Sequence, residues 1–368
     1  MKKLSLVFVA LAISMGALLA QTHTSNVVES GVNQEAVVDQ SGPGDITSNV
    51  TQSNADNVAK VTQINVALLP ENDIKSTVEQ SGVRNLATVV QNFIEENPLY
   101  PGTPGLMEAI VLQSGNDNQA LQNQGPHNQQ GLTYALINQS GDWNKASQNQ
   151  LKYGNKAEIY QSGDGNQGQQ AQDATLLADY DGSMNTALLD QSGNNNFATQ
   201  AQDGWDNDVK AYQSGNNNSS IQTQDVSWVS DAYVSQSGSW NKAIQTQSGP
   251  AVGFEPTGKL NSARIEQASD GNNAIQEQKS EGSRISGYDP LNRAEIYQWG
   301  GNDNYAKQTQ SMPAGTFALA TDANVGKIWQ NGNNNIATQD QTGGFNFGTV
   351  SQTGSWNEAH VTQSQSIP

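Results

Sequence analysis

The side chains of this sequence that do acid–base or nucleophilic chemistry stand apart from one another. His23, His127 and His360 are the only histidines, and none has a carboxylate or serine at the spacing of a catalytic pair. Cysteine is absent, so thiol nucleophiles, thiolate metal sites and disulfides are excluded. Turns such as "GDGN" and "GNDN" invite a calcium reading. The calcium-binding nonapeptide needs a recurring aspartate that these turns lack, and their Asn and Asp more simply bond nearby backbone. What does recur at fixed spacing is the neutral amide. Its chemistry is hydrogen bonding, because each Gln or Asn carries both donors and an acceptor.

The elements that position these amides are short repeats. Taking the glutamine of "QSG" as anchor, it returns at Gln139, Gln161, Gln191, Gln213, Gln236, Gln267, Gln298, Gln330 and Gln352. Gln52, Gln80 and Gln113 fit the same frame upstream, and Glu29 holds it in the first of thirteen units. The shortest step is 22 residues, as from Gln191 to Gln213. Two residues before the anchor stands an apolar residue such as Ile159, Leu189 or Ile328; four before it stands a small one such as Ala157 or Ala187. Six before it, later units place Asn155, Asn185 and Asn207. The intervening positions vary freely, as in Lys156, Glu158 and Tyr160. Period two is the signature of a strand with one enclosed face, and it excludes a helix.

After the anchor comes a turn glycine, at Gly141, Gly163, Gly193, Gly215, Gly238, Gly332 and Gly354. Next comes an asparagine, at Asn144, Asn166, Asn196, Asn218, Asn241, Asn335 and Asn357. Alternation then resumes and ends on a second glutamine: Gln150, Gln172, Gln202, Gln224, Gln247, Gln341 and Gln363. Each unit therefore reads as strand, tight turn, strand. A lone pair of such strands leaves backbone groups unpaired, whereas stacked units satisfy one another. The expected fold is all-β, a two-sheet β-solenoid of about thirteen rungs. Buried amides are costly unless bonded. Stacked at about 4.8 Å, each can donate to one neighbour and accept from the other. These glutamines and asparagines are the expected structural ladder.

Residues 1–20 read as a secretory signal peptide, with Lys2 and Lys3 before an apolar stretch that ends in small residues. Residues 21–368 form the repeat region, clearest over 134–363 and degenerate over 25–124. No second membrane-spanning stretch follows. Insertions fall between the last glutamine of one unit and the first strand of the next: Asn92–Glu108, Asp173–Met184, Ser248–Leu260, Lys279–Leu291 and Ser311–Ala323. All are expected on one edge of the solenoid, as ordinary loop variation or as a decorated contact surface. A formal net charge of −18 disfavours nucleic acid as a partner, and no cofactor is indicated.

The phrase N/S-x-A-x-I-x-Q-x-G-x-x-N-x-A-x-x-x-Q resembles the curlin repeat of curli-type bacterial amyloid subunits. The resemblance implies a secreted subunit that polymerises into extracellular biofilm fibres, with a nucleating subunit and an outer-membrane export channel as partners. This chain has more units than familiar members, and its repeat frame begins soon after Gln21, without their glycine-rich leader. It also places Gln170, Gln200, Gln222 and Gln245 where the family often has a small or aliphatic residue. The one-residue shift in "QWGGNDNYA" and Ser269 in a glycine place mark irregular turns. The last unit keeps Gln352, Gly354, Asn357, Ala359 and Gln363 and is expected to be uncapped, as is the first, near Val27 and Ala36. The expected function is a self-assembling structural subunit rather than an enzyme. The alternative is a monomeric solenoid that binds glycans through aromatics such as Tyr160, Tyr212, Tyr297, Trp329, Trp143, Trp240 and Trp356.

Overall fold

The computed structural model describes residues 22–66, 73–93, 105–127, 132–151, 154–173, 184–249, 261–280, 283–284, 292–313, 317–318 and 324–365. Regular structure among them is entirely β. They fall into two compact units, the first reaching Asp173 and the second starting at Asn185.

Each unit is a parallel two-sheet solenoid. In the first, six strands from His23–Val32 to Lys156–Ser162 form one sheet, and six from Glu35–Ser41 to Gln167–Asp173 form the other. In the second, seven strands from Thr186–Ser192 to Phe347–Thr353 face seven from Phe197–Trp205 to Glu358–Gln365. Every rung gives one strand to each sheet, so the rungs number 13 over the two units. Pairing keeps anchor on anchor. Glu29, Gln52, Gln80, Gln113, Gln139 and Gln161 are successive partners in the first unit. Gln191, Gln213, Gln236, Gln267, Gln298, Gln330 and Gln352 are successive partners in the second.

Alternation explains which side chains are enclosed. In Lys156–Ser162, Ala157, Ile159 and Gln161 are buried, while Lys156, Glu158 and Tyr160 lie on the outer face. A typical later rung buries one large aliphatic side chain and one or two alanines, so apolar burial supplies a few kcal/mol per rung. The remaining cohesion lies in hydrogen bonds. In the first unit the balance differs: Ile46, Ile74 and Met107 take the place that Asn155 holds later, and they cluster with Phe93. Those rungs look degenerate because hydrophobes replace amides at inward positions, with the parity kept.

In most rungs the turn holds two residues with positive φ. The first is the glycine, for example Gly215 at 100°, where an added Cβ would strike the Gly238 carbonyl oxygen. The second directly precedes the inward asparagine. It is occupied by Asn195, Asn217 or Asn334, and also by Trp143, Trp240 and Trp356 at 63°, 62° and 63°. The two irregular turns are resolved locally. The Ser269 hydroxyl accepts from Asn272 Nδ2 at 2.9 Å, where other turns use a backbone carbonyl. The turn after Trp299 holds one extra residue and keeps Asn304 buried.

Residues 1–20, expected to be a signal peptide, and most of the insertions lie outside the described residues. The described strands shorten those insertions: Asn92 and Phe93, Lys279 and Ser280, and Ser311 and Met312 still belong to strands. Two insertions also contribute a short parallel pair, Ser283–Arg284 with Phe317–Ala318.

Candidate functional site

The anchor glutamines make two kinds of bond. Along the stack, Gln191 Nε2 donates to Gln213 Oε1 at 2.8 Å, and Gln213 donates in turn to Gln236 at 2.8 Å. The series continues through Gln267, Gln298, Gln330 and Gln352 at 2.8–2.9 Å. In the first unit it runs from Gln52 through Gln80, Gln113 and Gln139 to Gln161. Across the core, the second N–H reaches a carbonyl of the facing sheet: Gln161 to Lys145, Gln213 to Phe197 and Gln352 to Ile336. Both hydrogens of one amide are thereby used, one axially and one between sheets.

The closing glutamines behave alike. Gln124, Gln150 and Gln172 form one series. Gln202, Gln224, Gln247, Gln278, Gln310, Gln341 and Gln363 form the other at 2.7–3.1 Å.

The turn asparagines differ from a simple side-chain ladder. Asn144, Asn166, Asn218 and Asn241 each donate their backbone N–H to the Oδ1 of the asparagine one rung earlier, at 3.0 Å. Their Nδ2 groups donate within their own turn and onward, as Asn196 does to the carbonyls of Ser192 and Gly215 and Asn335 does to that of Gly354. Asn357 closes the described series by donating to Asn335 Oδ1. The asparagine is a clamp on the glycine turn. This explains its coupling to Gly163, Gly193 and the other turn glycines. Asn185 does the same at the outer turn, donating to Gly204 and accepting from the Asn207 backbone, while Asn155 bonds the Leu151 carbonyl.

A third glutamine row lies between these two. Gln122, Gln148 and Gln170 bond at 2.9–3.0 Å, and Gln200, Gln222, Gln245, Gln276, Gln308 and Gln339 do so at 2.9–3.0 Å. In the sequence these residues read as departures from a family pattern. Their inward parity is the signal that places them in the core. The row is bounded by valines, Val89 beside Gln122 and Val361 beside Gln339.

The outer faces carry the charges and rings. Tyr297 contacts Trp299 and Trp329 at centroid distances of 5.8 and 6.0 Å, and Tyr212 contacts Tyr233 at 5.7 Å. These are side-by-side packing contacts. Trp143, Trp240 and Trp356 stay exposed at the turns. Outward carboxylates are ordinarily solvated, yet Glu295 is only 5% exposed. Arg293 and Lys327 cover it at 2.6 and 2.9 Å. Burial by itself raises this carboxyl, but the Lys327 hydrogen bond and the Arg293 charge prevail and hold it below its ordinary value.

Two histidines have described side chains. His23 meets the Gly42 carbonyl at 2.8 Å. His360 sits between Glu358 at 2.8 Å and the Thr338 hydroxyl at 2.6 Å, a juxtaposition across rungs that linear spacing conceals. It lies on an exposed strand face, where water competes for each bond. Among the described residues, no group of three or more His, Asp or Glu is placed to hold a metal ion, and no helix is long and apolar enough to cross a membrane.

The curlin associated repeat family model matches residues 332–364. No curated protein matches the chain. The matched residues span the turn asparagine Asn335 to the closing glutamine Gln363, and the anchor-on-anchor pairing repeats their frame in the other rungs. Residues 332–364 are thus similar to the curlin associated repeat, and the all-β solenoid architecture of the other rungs is consistent with that likeness.

Proposed function

We propose that the chain is the structural subunit of a secreted, curli-like fibre that grows by cross-β stacking of rungs and serves extracellular matrix and adhesion. The observation that carries this reading is the outermost rung. Phe347–Thr353 and Glu358–Gln365 each pair on one side only among the described strands. Gln352 and Gln363 accept from the preceding rung and donate to the facing sheet, which leaves one N–H of each for a further acceptor. A second copy supplies that acceptor and the missing backbone partners. By the family resemblance, a nucleating subunit and an outer-membrane channel are the expected helpers, and residues 1–20 are the export signal.

The experiment is assembly of purified mature chain, followed by dye fluorescence and fibre diffraction. Fibres with a reflection near 4.8 Å and a lag abolished by seeds are expected. A chain that stays monomeric at high concentration for days sinks the reading. In that event the exposed Trp143, Trp240 and Trp356 favour a monomeric glycan binder, to be probed on a glycan array.

A further inference from the structure

The middle inward row of the second sheet changes character between the third and fourth rungs and again at the last rung. It reads Val38, Val61 and Val89 in the first three rungs, and glutamine from Gln122 onward through the first unit. In the second unit it is glutamine up to Gln339, and then Val361 in the last rung. Each boundary leaves a buried polar atom without a partner: Gln122 Oε1 beside Val89, and Gln339 Nε2 beside Val361. The direction is consistent, since in this row Nε2 always donates to the following rung's Oε1. Such an orphaned buried group destabilises the fold. A glutamine at position 361 would satisfy Gln339, so the valine there is unfavourable for the isolated chain.

We infer that Val361 is an end-matching residue, fitting the last rung of one copy to the first rung of a second copy in a single register. The inference rests on the assembly reading above. Place Phe347–Gln365 against His23–Ser41 in the parallel register used everywhere else, and the inward rows continue. Val361 falls on Val38, which extends to Val61 and Val89. Gln363 falls on Gln40, which already donates to Gln63 at 2.9 Å. Val350 falls on Val27 and Ala359 on Ala36. Asn357 Oδ1 faces the backbone N–H of Gln34, the bond that turn asparagines make elsewhere. In the anchor row Gln352 Nε2 meets Glu29, a carboxylate that accepts. A glutamine at position 361 would instead bring its Nε2 against Val38, dry and unbonded. Val361 therefore moves the mismatch from the joint between copies into the interior of one copy.

The test is seeded elongation of the full mature chain, comparing Val361→Gln, Val38→Gln and the double variant, each on its own seeds. Val361→Gln is expected to raise the unfolding temperature of the unassembled chain, because Gln339 gains its acceptor, and yet to elongate roughly tenfold more slowly. The double variant, in which position 361 donates to position 38, is expected to recover to within about threefold. Val361→Thr and Val38→Thr, of nearly equal volume, repeat the comparison if the glutamine variants fold poorly. Equal elongation of all chains, or no recovery in the double variant, overturns the inference while assembly itself stands. Absence of fibres from the unsubstituted chain overturns the assembly reading instead.

Discussion

Most buried glutamines of the ladders make several bonds at once. Gln213 accepts from Gln191, donates to Gln236 and donates to the Phe197 carbonyl. Truncating it to alanine removes all three bonds and leaves a cavity, for an expected loss of about 2–5 kcal/mol. Lys210→Ala on the outer face removes only an exposed pair with Asp208 and should cost under about 1 kcal/mol. Denaturation midpoints of the two variants check the contrast. Glu295 makes a pH prediction. Its folded carboxyl lies below its ordinary 4.5, so the stability it contributes is complete above that pH and is lost as pH falls through the folded value. Glu295→Gln should be less stable than the unsubstituted chain at pH 7, and the gap should close in acid. Denaturation at both pH values measures it.

At the scale of the element, the turn couples glycine and asparagine. Gly215→Ala meets two obstacles, a φ of 100° and the Gly238 carbonyl in the space of the new Cβ. Backbone strain alone should cost about 1–3 kcal/mol, read as a lowered unfolding temperature. Strand, turn and register were legible in the sequence because period two and the recurring glycine are local signals. The partners of each amide were less so. Linear spacing shows that Asn166 and Asn218 face inward, but not that they clamp a turn one rung away. The second positive-φ place was hidden because Trp143, Trp240 and Trp356 hold it, and tryptophan gives no sign of that backbone. The cover over Glu295 was hidden too, since Lys327 arrives from the next rung.

At the scale of the whole molecule, the proposed stacking of copies should be paced by charge. Each chain carries a net charge of −18, so copies repel as their open edges approach. Raising ionic strength from about 0.01 M to 0.15 M shortens the screening length from about 30 Å to about 8 Å. Lag times should fall severalfold over that range, and a lag indifferent to salt would show that charge does not restrain assembly.

The cross-sheet bond of each anchor glutamine has a mechanical corollary. Because one hydrogen of Gln161, Gln213 or Gln352 is fixed to the opposite sheet, every such rung carries its own transverse staple. Peeling one sheet from the other must break a staple at each rung, whereas cleaving between two rungs breaks a single layer of bonds. Under load, the proposed fibre should fracture crosswise into shorter pieces and resist fraying into ribbons. Every crosswise fracture then exposes fresh open edges, so breakage multiplies growing ends.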